Sequence, residues 1–142
     1  MTIFAIDFDG TCVEHDYPRI GPDVPGAAGT LLQLVEQGHE LILWTMRSDE
    51  GLAEAIGWFE ARGIPIKAAN VNPDQRSWTD SPKVYAGVYI DDAALGCPLV
   101  RPSAEPWETD RPRPYVDWKA VRKLLQRDHY LPSPGVEPLM ES

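Results

Sequence analysis

The sequence predicts an α/β fold: a Rossmann-like three-layer sandwich around a central parallel sheet. Two observations carry this. Short uninterrupted apolar runs, Ile3-Phe4-Ala5-Ile6, Leu41-Ile42-Leu43-Trp44 and Gly87-Val88-Tyr89-Ile90, read as strands covered on both faces. Segments with helical spacing of apolar residues alternate with them, the order that right-handed β-α-β crossovers require. The 142 residues suit one domain with a substantial core, and 43% apolar with 25% charged residues is an ordinary globular balance.

The first strand covers residues 3–7. A helix follows from Pro25 to Gln37, with Ala28, Leu31, Leu32 and Val35 at helical spacing and Gly38 as its stop. After the strand at 41–44, Ser48 is placed to cap a second helix. Asp49 and Glu50 lie in its first turn, Leu52, Ala55, Ile56 and Phe59 line one face, and Gly63 ends it. Residues 64–71 form a weaker strand, and the run at 87–90 ends in Asp91-Asp92. Pro98, Pro102, Pro106, Pro112 and Pro114 make 98–114 an extended connection. The last helix runs from Val116 to about Arg127, with Trp118, Val121, Leu124 and Leu125 as its apolar face. Residues 1–128 thus read as one domain, and 129–142, rich in proline, as a loose tail.

Composition narrows the function. A net charge of -9 disfavours non-specific nucleic-acid binding, which relies on lysine and arginine. It does not exclude a small anionic substrate, because a bound divalent cation reverses the local field. No apolar run approaches the roughly 18 residues of a membrane span, and nothing resembles a secretory leader. The expected location is the cytosol, with Cys12 and Cys97 as reduced thiols.

The stretch Asp7-Phe8-Asp9-Gly10-Thr11 poses the chemical question. A strand that ends in two like charges is costly unless a cation sits between them or chemistry needs them. Ligands of open parallel sheets bind beyond the carboxyl ends of the strands. There this chain offers Asp7 and Asp9, then Thr45, then Asp91 and Asp92. Converging carboxylates suit Mg²⁺, and a carboxylate nucleophile beside a metal suits phosphoryl transfer.

In type and order, Asp7-Phe8-Asp9-Gly10-Thr11, Thr45, Lys83 and Asp91-Asp92 resemble the four motifs of the haloacid dehalogenase (HAD) superfamily of phosphatases. The resemblance implies that Asp7 is the nucleophile and that Asp9 protonates the leaving oxygen, then activates water. It implies that Thr45 donates to a phosphate oxygen and that Lys83 neutralises phosphate and nucleophile. Asp7, Asp91 or Asp92, and the main-chain carbonyl of Asp9 would hold Mg²⁺, with the direct ligand of the Asp91-Asp92 pair left open. Lys67 also lies between the second and fourth motifs, and Lys83 is preferred for its approach to the third apolar strand. Gly10 permits the tight turn, and Gly10, Thr11 and Arg47 are candidates for substrate contact. Arg47 reads equally as a surface ion pair. For His15, Asp16 and Tyr17 the alternatives are a border of the pocket and, preferred, a solvated loop; Asn70 and Asn72 read as turn residues, and Cys12 as unreactive packing near the site.

Superfamily caps are inserted after the first motif or between the second and third. Residues 12–24 are too few for one, and 46–82 are consumed by a helix, a strand and connections, so the expectation is a capless enzyme. An uncapped site suits a bulky phosphorylated substrate. Nucleotide or polynucleotide-end phosphatase and small-metabolite phosphatase both stay open, as does oligomeric state. The alternatives are a phosphate- or metal-binding signalling protein and a non-catalytic relic that needs a partner. A response-regulator receiver places its acidic pair first and its phosphoacceptor third, the reverse of the order here. Dehalogenation fits poorly, because that branch lacks the second aspartate that Asp9 supplies.

Overall fold

Ile3–Ile6 (β1), Glu40–Leu43 (β2), Ala68–Ala69 (β3) and Val88–Ile90 (β4) form one parallel sheet, in the order β3-β2-β1-β4. The computed structural model describes residues 1–102 and 113–135. Helices Ala27–Glu36 (α1) and Asp49–Ala61 (α2) make the first two crossovers, and Trp118–Arg127 (α3) packs on α1. Ile6 pairs in register with Leu43 on one side and Ile90 on the other. The residues that follow these three strands therefore leave the sheet at one edge. No cap domain interrupts the described residues, and none of their helices is long and apolar enough to cross a membrane.

The period of two in each strand divides the sheet. Phe4, Ile6, Leu41, Leu43 and Ile90 share one core with Leu31 and Leu34 of α1, Trp58 and Phe59 of α2, and Trp118 and Leu125 of α3. Ala5 and Ile42 point the other way and are also buried. The β3–β4 crossover reverses direction along the sheet, so right-handedness sends it across that second face. This third layer contains a 3₁₀ turn, Pro73–Ser77, and no α-helix. Its brace is Gln75, 7% exposed, whose amide donates to the carbonyls of Ser81 and Lys83 and accepts from the Tyr85 amide.

Helix α1 ends where expected. Gly38, at φ +87°, lets its own amide reach the carbonyl of Val35 and the His39 amide reach that of Leu34. Ser48 stands at the start of α2 but makes no side-chain cap bond, leaving the acids of the first turn to face the helix dipole. Strand β3 is shorter than the apolar run, because Pro65 cannot donate to a ladder and Asn70, at φ +58°, turns the chain out.

Two expectations for the C-terminal part need correction. Val116 belongs not to α3 but to a two-stranded antiparallel ribbon, Leu99–Val100 (β5) with Tyr115–Val116 (β6), so the proline-rich connection is not wholly irregular. Asp117 then caps α3 by accepting from the Ala120 amide. Residues 103–112 of that connection, including Pro106 and Pro112, lie outside the described residues. The chain after His129 is not loose at its start. Leu131 is 4% exposed, and the Tyr130 ring meets the Phe4 and His39 rings edge-on. His39 Nδ1 accepts from the Thr2 amide, which leaves Nε2–H to donate to the Tyr130 carbonyl at 2.9 Å. The remainder of the expected tail, 136–142, also lies outside the described residues.

Candidate active site

Asp7 is the first residue past β1, and its amide donates to the Ile90 carbonyl at 3.0 Å. That bond ties its backbone to the end of β4, one residue before Asp91. One carboxylate oxygen each from Asp7, Asp91 and Asp92 lies within 4.8 Å of the others. The adjacent ends of two parallel strands thus bring three acids together, as the sequence implied.

Thr11 holds the group. Its hydroxyl donates to Asp7 Oδ2 at 2.8 Å and accepts the Asp92 amide at 3.2 Å, and the residue is fully buried. Asp92 Oδ2 is also 2.8 Å from His15 Nε2. Burial is the largest influence on Asp7, pushing its carboxyl up to about 8. The Thr11 hydrogen bond opposes that rise, and the charges of Asp91 and Asp92 add to it. Burial likewise raises Asp91 against the pull of the Ala93 amide, with Asp92 reinforcing the shift. Carboxylates that resist ionisation together are a charge deficit that a divalent cation relieves. Three carboxylate oxygens are a hard-ligand set of the kind that can hold a divalent cation.

Gly10 is required twice over. Its φ is +83°, and a β-carbon there would lie 2.1 Å from His15 Nε2 and 2.3 Å from Asp92 Oδ2. The His15–Asp92 pair is therefore seated directly on the bare glycine.

Asp9 takes a different place from the other acids. Its two carboxylate oxygens accept from Arg47 Nε and Nη2, each at 2.8 Å, and it lies outside the acidic triad. Arg47 is only 3% exposed; it is neither a surface ion pair nor open to substrate in this arrangement. Thr45 lies beside it. The Thr45 hydroxyl accepts the Arg47 amide at 3.2 Å, while Asn70 Oδ1 accepts the Thr45 amide at 2.8 Å.

The two lysines separate. Lys67 pairs with Glu40, the first residue of β2, and with Asp74, so it serves the sheet edge opposite the carboxylates. Lys83 Nζ lies over the Tyr89 ring at 5.6 Å from its centroid and makes no ion pair among the described residues. Lys83 is therefore not joined to the acidic triad in this arrangement.

Several neighbours of the site depart from their preferred readings. His15 is a partner of Asp92 rather than a solvated residue, and Tyr17, 71% exposed, lies over the Arg47 guanidinium. Asn70 orders the Thr45 loop as well as turning the chain. The C-terminal part buttresses the first motif: Trp118 Nε1 donates to the Thr11 carbonyl at 2.7 Å, and the Val116 amide to that of Gly10 at 2.9 Å. Such contacts span more than a hundred residues and leave no local pattern. Cys12 packs as expected, fully buried with its thiol raised by burial and the nearby Asp7 charge. A cavity of about 460 Å³ lies elsewhere, between Asn70, Gln75, Thr79 and Val84.

One solved structure, described as a conserved protein coded by a locus of Bacteroides thetaiotaomicron, matches with a TM-score of 0.70. The two chains are 38% identical, and the match covers 89% of this chain and 91% of that one. The description names no activity. No family model matches this sequence, and no curated protein does.

Proposed function

The chain belongs to the family of that Bacteroides thetaiotaomicron protein, and from its site we propose a Mg²⁺-dependent phosphohydrolase of the HAD type. One observation carries the reading. Asp7, Asp91 and Asp92 converge within 4.8 Å at the carboxyl edge of a parallel sheet, with Asp7 fixed by the backbone of the neighbouring strand.

In this reading an Asp7 oxygen attacks phosphorus and the ester oxygen departs, giving an aspartyl-phosphate that water then hydrolyses. Asp7, Asp91 and Asp92, with the Asp9 carbonyl, would hold the metal. Bound Mg²⁺ supplies neutralisation of charge on the transferring phosphoryl group. Thr11 orients Asp7 through its hydroxyl. Thr45 keeps its O–H to donate to a phosphate oxygen while its lone pairs hold the Arg47 amide. Lys83, which makes no ion pair among the described residues, is the cation left for the incoming phosphate. The uncapped edge suits a phosphorylated substrate too large for a closed chamber.

The test is hydrolysis of an aryl phosphate with Mg²⁺, wild type beside Asp7→Asn, with and without EDTA. Turnover that vanishes in the folded mutant and in EDTA, and returns with Mg²⁺, is expected. Full activity in EDTA, or an appreciable rate from folded Asp7→Asn, would defeat the reading. Mg²⁺ binding without turnover of any phosphate would favour the binding-protein alternative.

A further inference from the structure

Arg47 is built in more firmly than any other cation with an ion pair in the described structure. Its side chain is 1% exposed, whereas the Arg62–Asp23 pair shows 32% and 45%. Four of its five N–H donors are placed: Nε and Nη2 on the two oxygens of Asp9, Nη2 also on the Arg19 carbonyl, and Nη1 on that of Pro18. The guanidinium carbon lies 5.3 Å from the centre of the Phe8 ring and 5.2 Å from that of Tyr17. Both Asp9 oxygens point into this fork, so neither is aimed at a departing group while the pair holds. To swing Asp9 away would leave a buried guanidinium without its anion.

We propose that Arg47 is a positioning residue that withholds Asp9 from the leaving oxygen. The enzyme then selects phosphoryl donors whose leaving group departs as a stable anion: aryl phosphates, acyl phosphates and phosphoanhydrides, over alkyl esters. This rests on the phosphohydrolase reading above. In the first half-reaction an Asp7 oxygen forms a bond to phosphorus. The bond from phosphorus to the leaving oxygen breaks, its electron pair stays on that oxygen, and no proton moves. In the second, water adds to phosphorus, the bond to Asp7 breaks with its pair returning to the carboxylate, and both protons of the water leave with the inorganic phosphate.

The test is a leaving-group series on the full chain with Mg²⁺: phenyl phosphates with graded electron-withdrawing substituents, acetyl phosphate and an alkyl phosphate. General-acid help is worth roughly 10²–10⁴-fold, so the alkyl ester is expected to trail the most activated aryl ester in kcat/KM by about 10²-fold or more. A smaller gap overturns the proposal and leaves an Asp7-dependent phosphohydrolase standing. No Asp7-dependent turnover of any member overturns both. Arg47→Lys keeps the charge but replaces the fork with a single ammonium, freeing one Asp9 oxygen. It is expected to narrow the gap about tenfold through kcat on the alkyl ester, in line with partial recovery of that help. A purely structural role would slow both esters alike, and equal losses in folded Arg47→Lys would overturn the assignment.

Discussion

Asp7→Asn should make the metal-free protein more stable as the pH rises, even while it removes the proposed nucleophile. Burial and the neighbouring acids push the folded Asp7 carboxyl up to about 8, against an ordinary value of 3.8. Between those values the folded chain keeps a proton that the unfolded chain has lost. The stability this proton supplies is therefore fully present below about pH 4 and is lost as pH rises through 8. The slope is about 1.4 kcal/mol per pH unit, so from pH 5 to pH 7 this one group costs the wild type about 2.7 kcal/mol. For a domain of this size that is a fall in Tm of roughly 8–10 °C. Asparagine has no proton to lose and can still accept from the Thr11 hydroxyl. The assay is thermal unfolding of both proteins in EDTA at pH 5, 6, 7 and 8. Groups away from the acidic triad titrate alike in the two chains and cancel in the difference. Parallel Tm profiles would refute the claim that the acidic triad strains the fold through Asp7. Excess Mg²⁺ should raise the wild-type Tm more at pH 8 than at pH 6 and move the mutant much less, because metal and proton compete for the same oxygens.

Gly10→Ala should lose activity and about 2 kcal/mol or more in urea unfolding, since a positive φ and a collision with the His15–Asp92 pair act together. Unchanged stability would mean that the pair is free to move aside. Trp118→Phe keeps the ring in the core but deletes the bond to the Thr11 carbonyl, so it should cost about 1–2 kcal/mol. It should also reduce kcat, since Thr11 orients Asp7. Stability lost with kcat intact would show that the buttress does not reach the nucleophile.

The sheet and the acidic triad were legible because each depends on pattern over a few residues. Apolar runs with glycine stops marked β1, β2 and β4, and strand ends in one register carried Asp7 and Asp91 to one edge without further information. Strand β3 was overdrawn because apolar content outweighed Pro65 and the exit at Asn70. The ribbon of β5 and β6 was hidden because each strand has two residues and its partner lies beyond a proline-rich stretch. Tyr130 and Leu131 were dismissed with the prolines after them, although two aromatic contacts and a histidine anchor that turn. The fate of Arg47 could not be read. Its partner Asp9 lies 38 residues away, and burial, the property that separates a surface ion pair from a fixed fork, is decided by the 12–24 loop folding over it.

The site is also where the chain breaks its own local rules, and the breaks share one direction. Elsewhere acids meet cations: Asp23 accepts both Arg62 and the Trp58 indole, and Glu40 and Asp74 share Lys67. At the carboxyl edge three acids meet one another instead, with a hydroxyl and an imidazole beside them, and the nearby guanidinium pairs with no acid but Asp9. Had Arg47 faced Asp7, the cluster would be a satisfied ion pair with no place for a metal. Directed at Asp9, it leaves the triad short of positive charge while fixing the carboxylate next to it. Departures from consistency of this kind are expected where function is held at the expense of stability. The same division, one acid neutralised and three left unsatisfied, is what a metal-assisted carboxylate nucleophile requires and a simple structural ion-pair network does not.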